Sequence, residues 1–103
     1  MTHLIQGDYL ADRTVWFDNE ILDPEPSKAV HNHSPDNFNW GYSGSAPSQL
    51  ALAICLKCFP KELALELYQD FKAEFVAIQK QGEDFTFTFN PEKWYSQHHS
   101  EKH

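Results

Sequence analysis

The chain has 103 residues, 41% of them hydrophobic and 15% aromatic; that length fits one domain, and that aromatic share argues against a disordered chain. Eight basic residues against fifteen acidic ones give a formal net charge of −7. This argues against nucleic acid or an anionic membrane as the main partner, because both demand Lys and Arg. Two cysteines, no apolar run of bilayer length and no basic-then-apolar leader speak against a disulfide framework, a membrane span and a signal peptide. A cytoplasmic location is the expectation.

In chain order, Leu4 to Ala11 reads as a first strand. Thr14-Val15-Trp16-Phe17, β-branched and aromatic, reads as a second. Asp18-Asn19 offers a tight turn, and Ile21-Leu22 a short return strand. Asp23 to Asn37 holds Pro24, Pro26 and Pro35 among Ser, Asn and Asp, which predicts a long loop. Ser45 suits an N-cap and Pro47 a first helical turn. Ser48 to Phe59 has little polar relief around Leu50-Ala51-Leu52-Ala53-Ile54, as a helix buried on all sides would.

Pro60 ends that helix, and Lys61 starts a second that is predicted to reach about Gln81. Leu63, Leu67, Phe71, Phe75 and Ile78 form its buried stripe. Phe85-Thr86-Phe87-Thr88-Phe89 alternates strictly and predicts a strand with Phe on one face and Thr on the other. Pro91 to Tyr95 predicts a short final helix capped by Asn90. The fold class is α+β, a small antiparallel sheet packed against two main helices plus a short C-terminal helix. One domain spans residues 1–97, followed by a polar, His-containing tail, 98–103.

Four groups of residues could carry chemistry. His31-Asn32-His33-Ser34-Pro35-Asp36 packs two imidazoles, a hydroxyl and a carboxylate into six residues. His31 and His33 could share a metal ion. Alternatively His33 could act as a general base, with Asp36 and Ser34 assisting. The bland alternative is that Asn32, Ser34 and Asp36 stabilise turns. Gly41-Tyr42-Ser43-Gly44-Ser45 runs into a helix start, where free backbone N–H groups can hold an anion. No Lys or Arg lies between Lys28 and Lys57 to help, so a sharp turn with a serine cap is the favoured reading. Cys55 and Cys58 sit near a helix C-terminus, whose dipole opposes a thiolate, and read as inert core thiols. Glu62, Glu66, Asp70 and Glu74 recur every four residues. This acidic ridge has no lysine at helical spacing to relieve repulsion of about 0.2–0.5 kcal/mol per pair.

The segments Asn32-His33-Ser34-Pro35-Asp36, Phe38-Asn39-Trp40-Gly41-Tyr42-Ser43-Gly44-Ser45 and Pro47-Ser48-Gln49-Leu50-Ala51 together resemble the domain-of-unknown-function family 6166. Tyr68-Gln69-Asp70-Phe71-Lys72 is similar to that family as well. The chain has Ala46 where the family usually has Gly. The resemblance implies a short protein of bacteria, phages or plasmids, and it carries over no catalytic residue.

With no nucleophile elbow, phosphate-binding loop, paired CxxC or HExxH, the leading expectation is a non-enzymatic interaction or regulatory protein. The resemblance adds the setting, a phage- or mobile-element-associated inhibitor of a host protein. The partner would be a protein with a basic surface, met by Glu62, Glu66, Asp70 and Glu74, with Trp40 and Tyr42 as aromatic anchors. No cofactor is expected, and a homodimer is conceivable. The alternative is a small hydrolase or metal-dependent enzyme centred on the loop from His31 to Asp36.

Overall fold

The computed structural model describes residues 1–34 and 37–101. It is an α+β fold with a four-stranded antiparallel sheet. The strands are β1 (His3–Asp8), β2 (Thr14–Phe17), β3 (Glu20–Ile21) and β4 (Phe85–Phe89), in the order β3-β2-β1-β4. The helices are α1 (Glu25–Val30), α2 (Ser45–Cys58), α3 (Lys61–Phe71) and α4 (Pro91–Glu101). A π-helical turn, Lys72–Val76, continues α3.

The register places Ile5 between Phe17 and Phe87, and Gly7 between Val15 and Phe85. Because side chains alternate along a strand, Ile5, Val15, Phe85 and Phe89 all enter the core. Thr86 and Thr88 stay exposed on the opposite face, as the Phe/Thr alternation predicts. Gly7 is required by this packing, since a Cβ there would press into the Phe85 ring. The β1–β2 connection begins earlier than expected: β1 stops at Asp8, and Asp12 and Arg13 turn the chain with positive φ. Asp18 and Asn19 both take positive φ, which gives the tight hairpin turn expected there.

Helix α2 is the central helix, with every residue from Pro47 to Cys55 buried. Around it lies an aromatic cluster in which Phe71 meets Phe89 at 4.8 Å and Trp94 at 6.0 Å between centroids. Asn90 caps α4 as predicted, its Oδ1 accepting from the Lys93 amide at 3.1 Å.

Four local expectations are corrected. The proline-rich stretch is not loop throughout: Pro24 and Pro26 sit at the cap and within the first turn of α1, where a missing N–H costs nothing. Ser45 lies inside α2, whose N-cap is Gly44 without a side-chain cap bond. The second helix does not run unbroken to Gln81. Ala77 donates to the Lys72 carbonyl, five residues back, at 2.8 Å. That extra residue rotates the following side chains around the axis, so Val76 is buried and Ile78 is 69% exposed. Helix α4 also runs past Tyr95 to Glu101, into the segment read as a polar tail.

Candidate functional site

The His31–Ser34 segment is pinned to α2 by one side chain, Gln49, which is fully buried. Its Oε1 accepts from the backbone amides of His33 at 2.7 Å and Ser34 at 3.2 Å. Its Nε2 donates to Ser27 Oγ at 2.9 Å and to the His31 carbonyl at 3.1 Å. Ser27, itself buried on α1, donates its hydroxyl hydrogen bond to the Pro24 carbonyl at 2.7 Å. Both amide atoms of Gln49 are thus fully used, as a buried amide requires. The signal for it in the sequence is one amide in an otherwise apolar helix.

This anchorage stacks His31 on His33, with ring centroids 4.1 Å apart and planes 2° from parallel. An imidazole binds a metal along an in-plane lone pair, and parallel planes do not converge on one ion. The pairing of His31 and His33 as metal ligands is therefore not what this arrangement offers. No group of three His, Cys, Asp or Glu side chains gathers around an ion position among the described residues. Asp36, the expected carboxylate assistant, lies outside the described residues. Ser34 is buried and held through its backbone.

His33 instead faces α3, its Nε2 2.7 Å from the hydroxyl of Tyr68. Burial, then the neighbouring charges of His31 and Lys72, hold the His33 pKa below its ordinary value. One turn on, Lys72 donates from Nζ to Ser48 Oγ at 3.2 Å, in the first turns of α2. The helix start that looked devoid of cations in the sequence acquires Lys72 through tertiary packing. His33, Tyr68, Lys72 and Ser48 thus form one polar centre on the α2–α3 face. Within it a neutral imidazole could take a proton, and an ammonium group stands near backbone N–H groups.

The glycine stretch is scaffolding at its first position. Gly41 takes φ +84° and donates to the Val76 carbonyl at 3.1 Å, and a Cβ there would collide with the backbone of Gln81. Only glycine fits such a conformation and approach. Tyr42 is half-buried and lies over Gly44. Trp40 is not the exposed anchor expected: it is 0% exposed, donates from Nε1 to the Glu83 carbonyl at 2.6 Å, and packs edge-on against Phe85 at 4.7 Å. A small core gains more from such a ring than a surface does.

The acidic ridge divides into two halves. Asp70 Oδ2 lies 3.0 Å from His98 Nε2, and Glu74 Oε1 accepts from Trp94 Nε1 at 3.2 Å, both partners belonging to α4. His98 Nε2 makes no hydrogen bond among the described residues, so the Asp70 contact is an ion-pair approach poorly aligned for one. Glu62 and Glu66 stay exposed, with no cation within 4.0 Å among the described residues. Burial raises the Cys55 pKa well above its usual value and pushes Cys58 up to about 12, so both groups keep their protons at neutral pH.

No helix is long and apolar enough to cross a membrane among the described residues. No curated protein and no solved structure matches the chain. A family model does, over residues 6–97, and that span contains the histidine segment, the glycine stretch and the whole α2–α3 face. The chain therefore belongs to the family of unknown function DUF6166.

Proposed function

We propose that this is a non-enzymatic interaction or regulatory protein that docks a protein partner through the first half of α3. The observation that carries the reading is Glu62 and Glu66: exposed carboxylates one turn apart, without a cation within 4.0 Å among the described residues. Leu65, 38% exposed, adds an apolar contact beside them. Repulsion between like charges at this spacing is relieved when a basic surface meets them. A formal charge of −7 extends the attraction to longer range. Trp40, being buried, is not part of this surface. The finer reading, a mobile-element-borne inhibitor of a host protein, takes its setting from the family resemblance alone and would have this acidic surface occupy a site built for an anionic ligand.

The experiment compares the wild type with the Glu62→Lys/Glu66→Lys double variant as bait in a native lysate. The wild type should retain a partner that is released as salt rises, and the double variant should not. Equal capture by both proteins rejects the acidic face as the binding surface.

One observation favours a second reading, a small hydrolase: three of the four stretches that carry the family resemblance meet at His33–Tyr68 and Ser48–Lys72. His33 would be the general base in its neutral form, with Lys72 offsetting negative charge on the substrate. Hydrolysis of para-nitrophenyl acetate by the wild type but not by His33→Ala, with metal analysis of both, supports it. Equal rates reject it.

A further inference from the structure

A second constellation lies at the opposite end of α2, away from the polar centre. A groove of about 470 Å³ opens where β1, the C-terminal end of α2 and the starts of α3 and α4 come together. Its apolar lining comes from Phe59, Leu63, Pro91 and the ring of Tyr95. Small-molecule sites share this character, with volumes of roughly 300–1,000 Å³, mostly apolar walls and a few polar groups.

The charges at its rim decide what it would take. Glu92 is engaged by the terminal amine of Met1 at 3.1 Å. Asp18 accepts from the Leu4 amide at 2.8 Å and pairs with His3 Nδ1 at 2.6 Å. Glu92 is thus paired with an ammonium group, and both oxygens of Asp18 are held in hydrogen bonds. Asp18 using Nδ1 leaves Nε2 as the remaining nitrogen of His3, a lining residue. Lys57, on the same lining, has no carboxylate within 4.0 Å among the described residues. In a chain with so strong an acidic excess, an uncompensated ammonium beside an apolar groove is selective for an anion with an apolar body.

We infer that this groove binds a small amphipathic carboxylate, its aromatic or aliphatic body against Phe59 and Leu63 and its head group toward Lys57 and His3. The groove adjoins the acidic face at the start of α3, through Leu63, and lies apart from the His33 centre. Lys57 supplies the charge, while His3 holds one oxygen of Asp18 in a hydrogen bond.

The test is an amide-resolved NMR titration of the full chain with 4-phenylbutyrate, beside its uncharged analogue 4-phenylbutanamide. Binding at this groove moves the amides of His3, Lys57, Phe59 and Leu63 before others. Lys57→Gln, a change at an exposed position, should weaken the carboxylate by about fivefold, the upper range for an exposed ion pair, and leave the amide unaffected. His3→Gln, which removes the imidazole hydrogen bond to Asp18, should weaken it as well. Shifts centred elsewhere, no saturable binding, or equal affinity of Lys57→Gln for carboxylate and amide as in the wild type would each overturn the inference.

Discussion

Replacing Gln49 by Leu keeps the volume of a buried side chain and deletes all four of its hydrogen bonds. The His31 carbonyl belongs to an exposed residue and can turn to water. The amides of His33 and Ser34 cannot do so freely, Ser34 being only 7% exposed. Two stranded amides cost about 1–3 kcal/mol each, and the better burial of Leu returns about 1 kcal/mol, leaving a net loss of roughly 3 kcal/mol. A domain of this size holds about 5–15 kcal/mol in total, so the variant should fold but be visibly weakened. In urea, with m of about 1–3 kcal/mol/M, the midpoint should fall by roughly 1–3 M at constant m. Hydrogen exchange at the His33 and Ser34 amides should accelerate before that of the α2 core. A midpoint within about 0.5 M of the wild type, with both amides still protected, would show that the loop is held by something other than Gln49.

The His33 pKa lies below the 6.5 of an unperturbed imidazole, which fixes the sign of its pH effect. Above that value neither state holds the proton; below it the unfolded chain protonates first, so stability falls with pH until folded His33 titrates too. The wild type should therefore lose more stability than His33→Gln between pH 7.5 and 5.5 in urea titrations, and parallel losses would contradict the depressed pKa. For the thiols, a pKa of about 12 at Cys58 leaves roughly one thiolate in ten thousand at pH 8. Iodoacetamide should accordingly spare both cysteines in the native protein and label them in urea; rapid native labelling would refute the burial argument. Gly41→Ala must place a side chain at φ +84° against the Gln81 backbone. It should lose more than about 2 kcal/mol by urea unfolding, and a neutral effect would mean the turn can relax.

Features that depend on a few neighbouring residues were legible in the sequence. The Phe/Thr alternation of β4, the apolar wrap of α2, the Asn90 cap and the Asp18-Asn19 turn all follow from local periodicity or from one residue's own hydrogen-bonding habits. The histidine segment was recognisable as unusual; the thiols read as core thiols from their place near a helix C-terminus, but what holds their protons is burial, which packing decides. Tertiary structure decided how distant segments meet. His33 and Tyr68 are 35 residues apart, Ser48 and Lys72 are 24 apart, and Trp40 reaches a carbonyl 43 residues away. A tryptophan serves a core and an interface equally well, so its residue type did not reveal that Trp40 is buried. The π turn is likewise a compromise between helix phase and packing, with Val76 turned inward and Ile78 outward, while α4 meets half the acidic ridge. Periodicity reports which face a segment would bury by itself; which side chains converge across elements depends on packing that no local window contains.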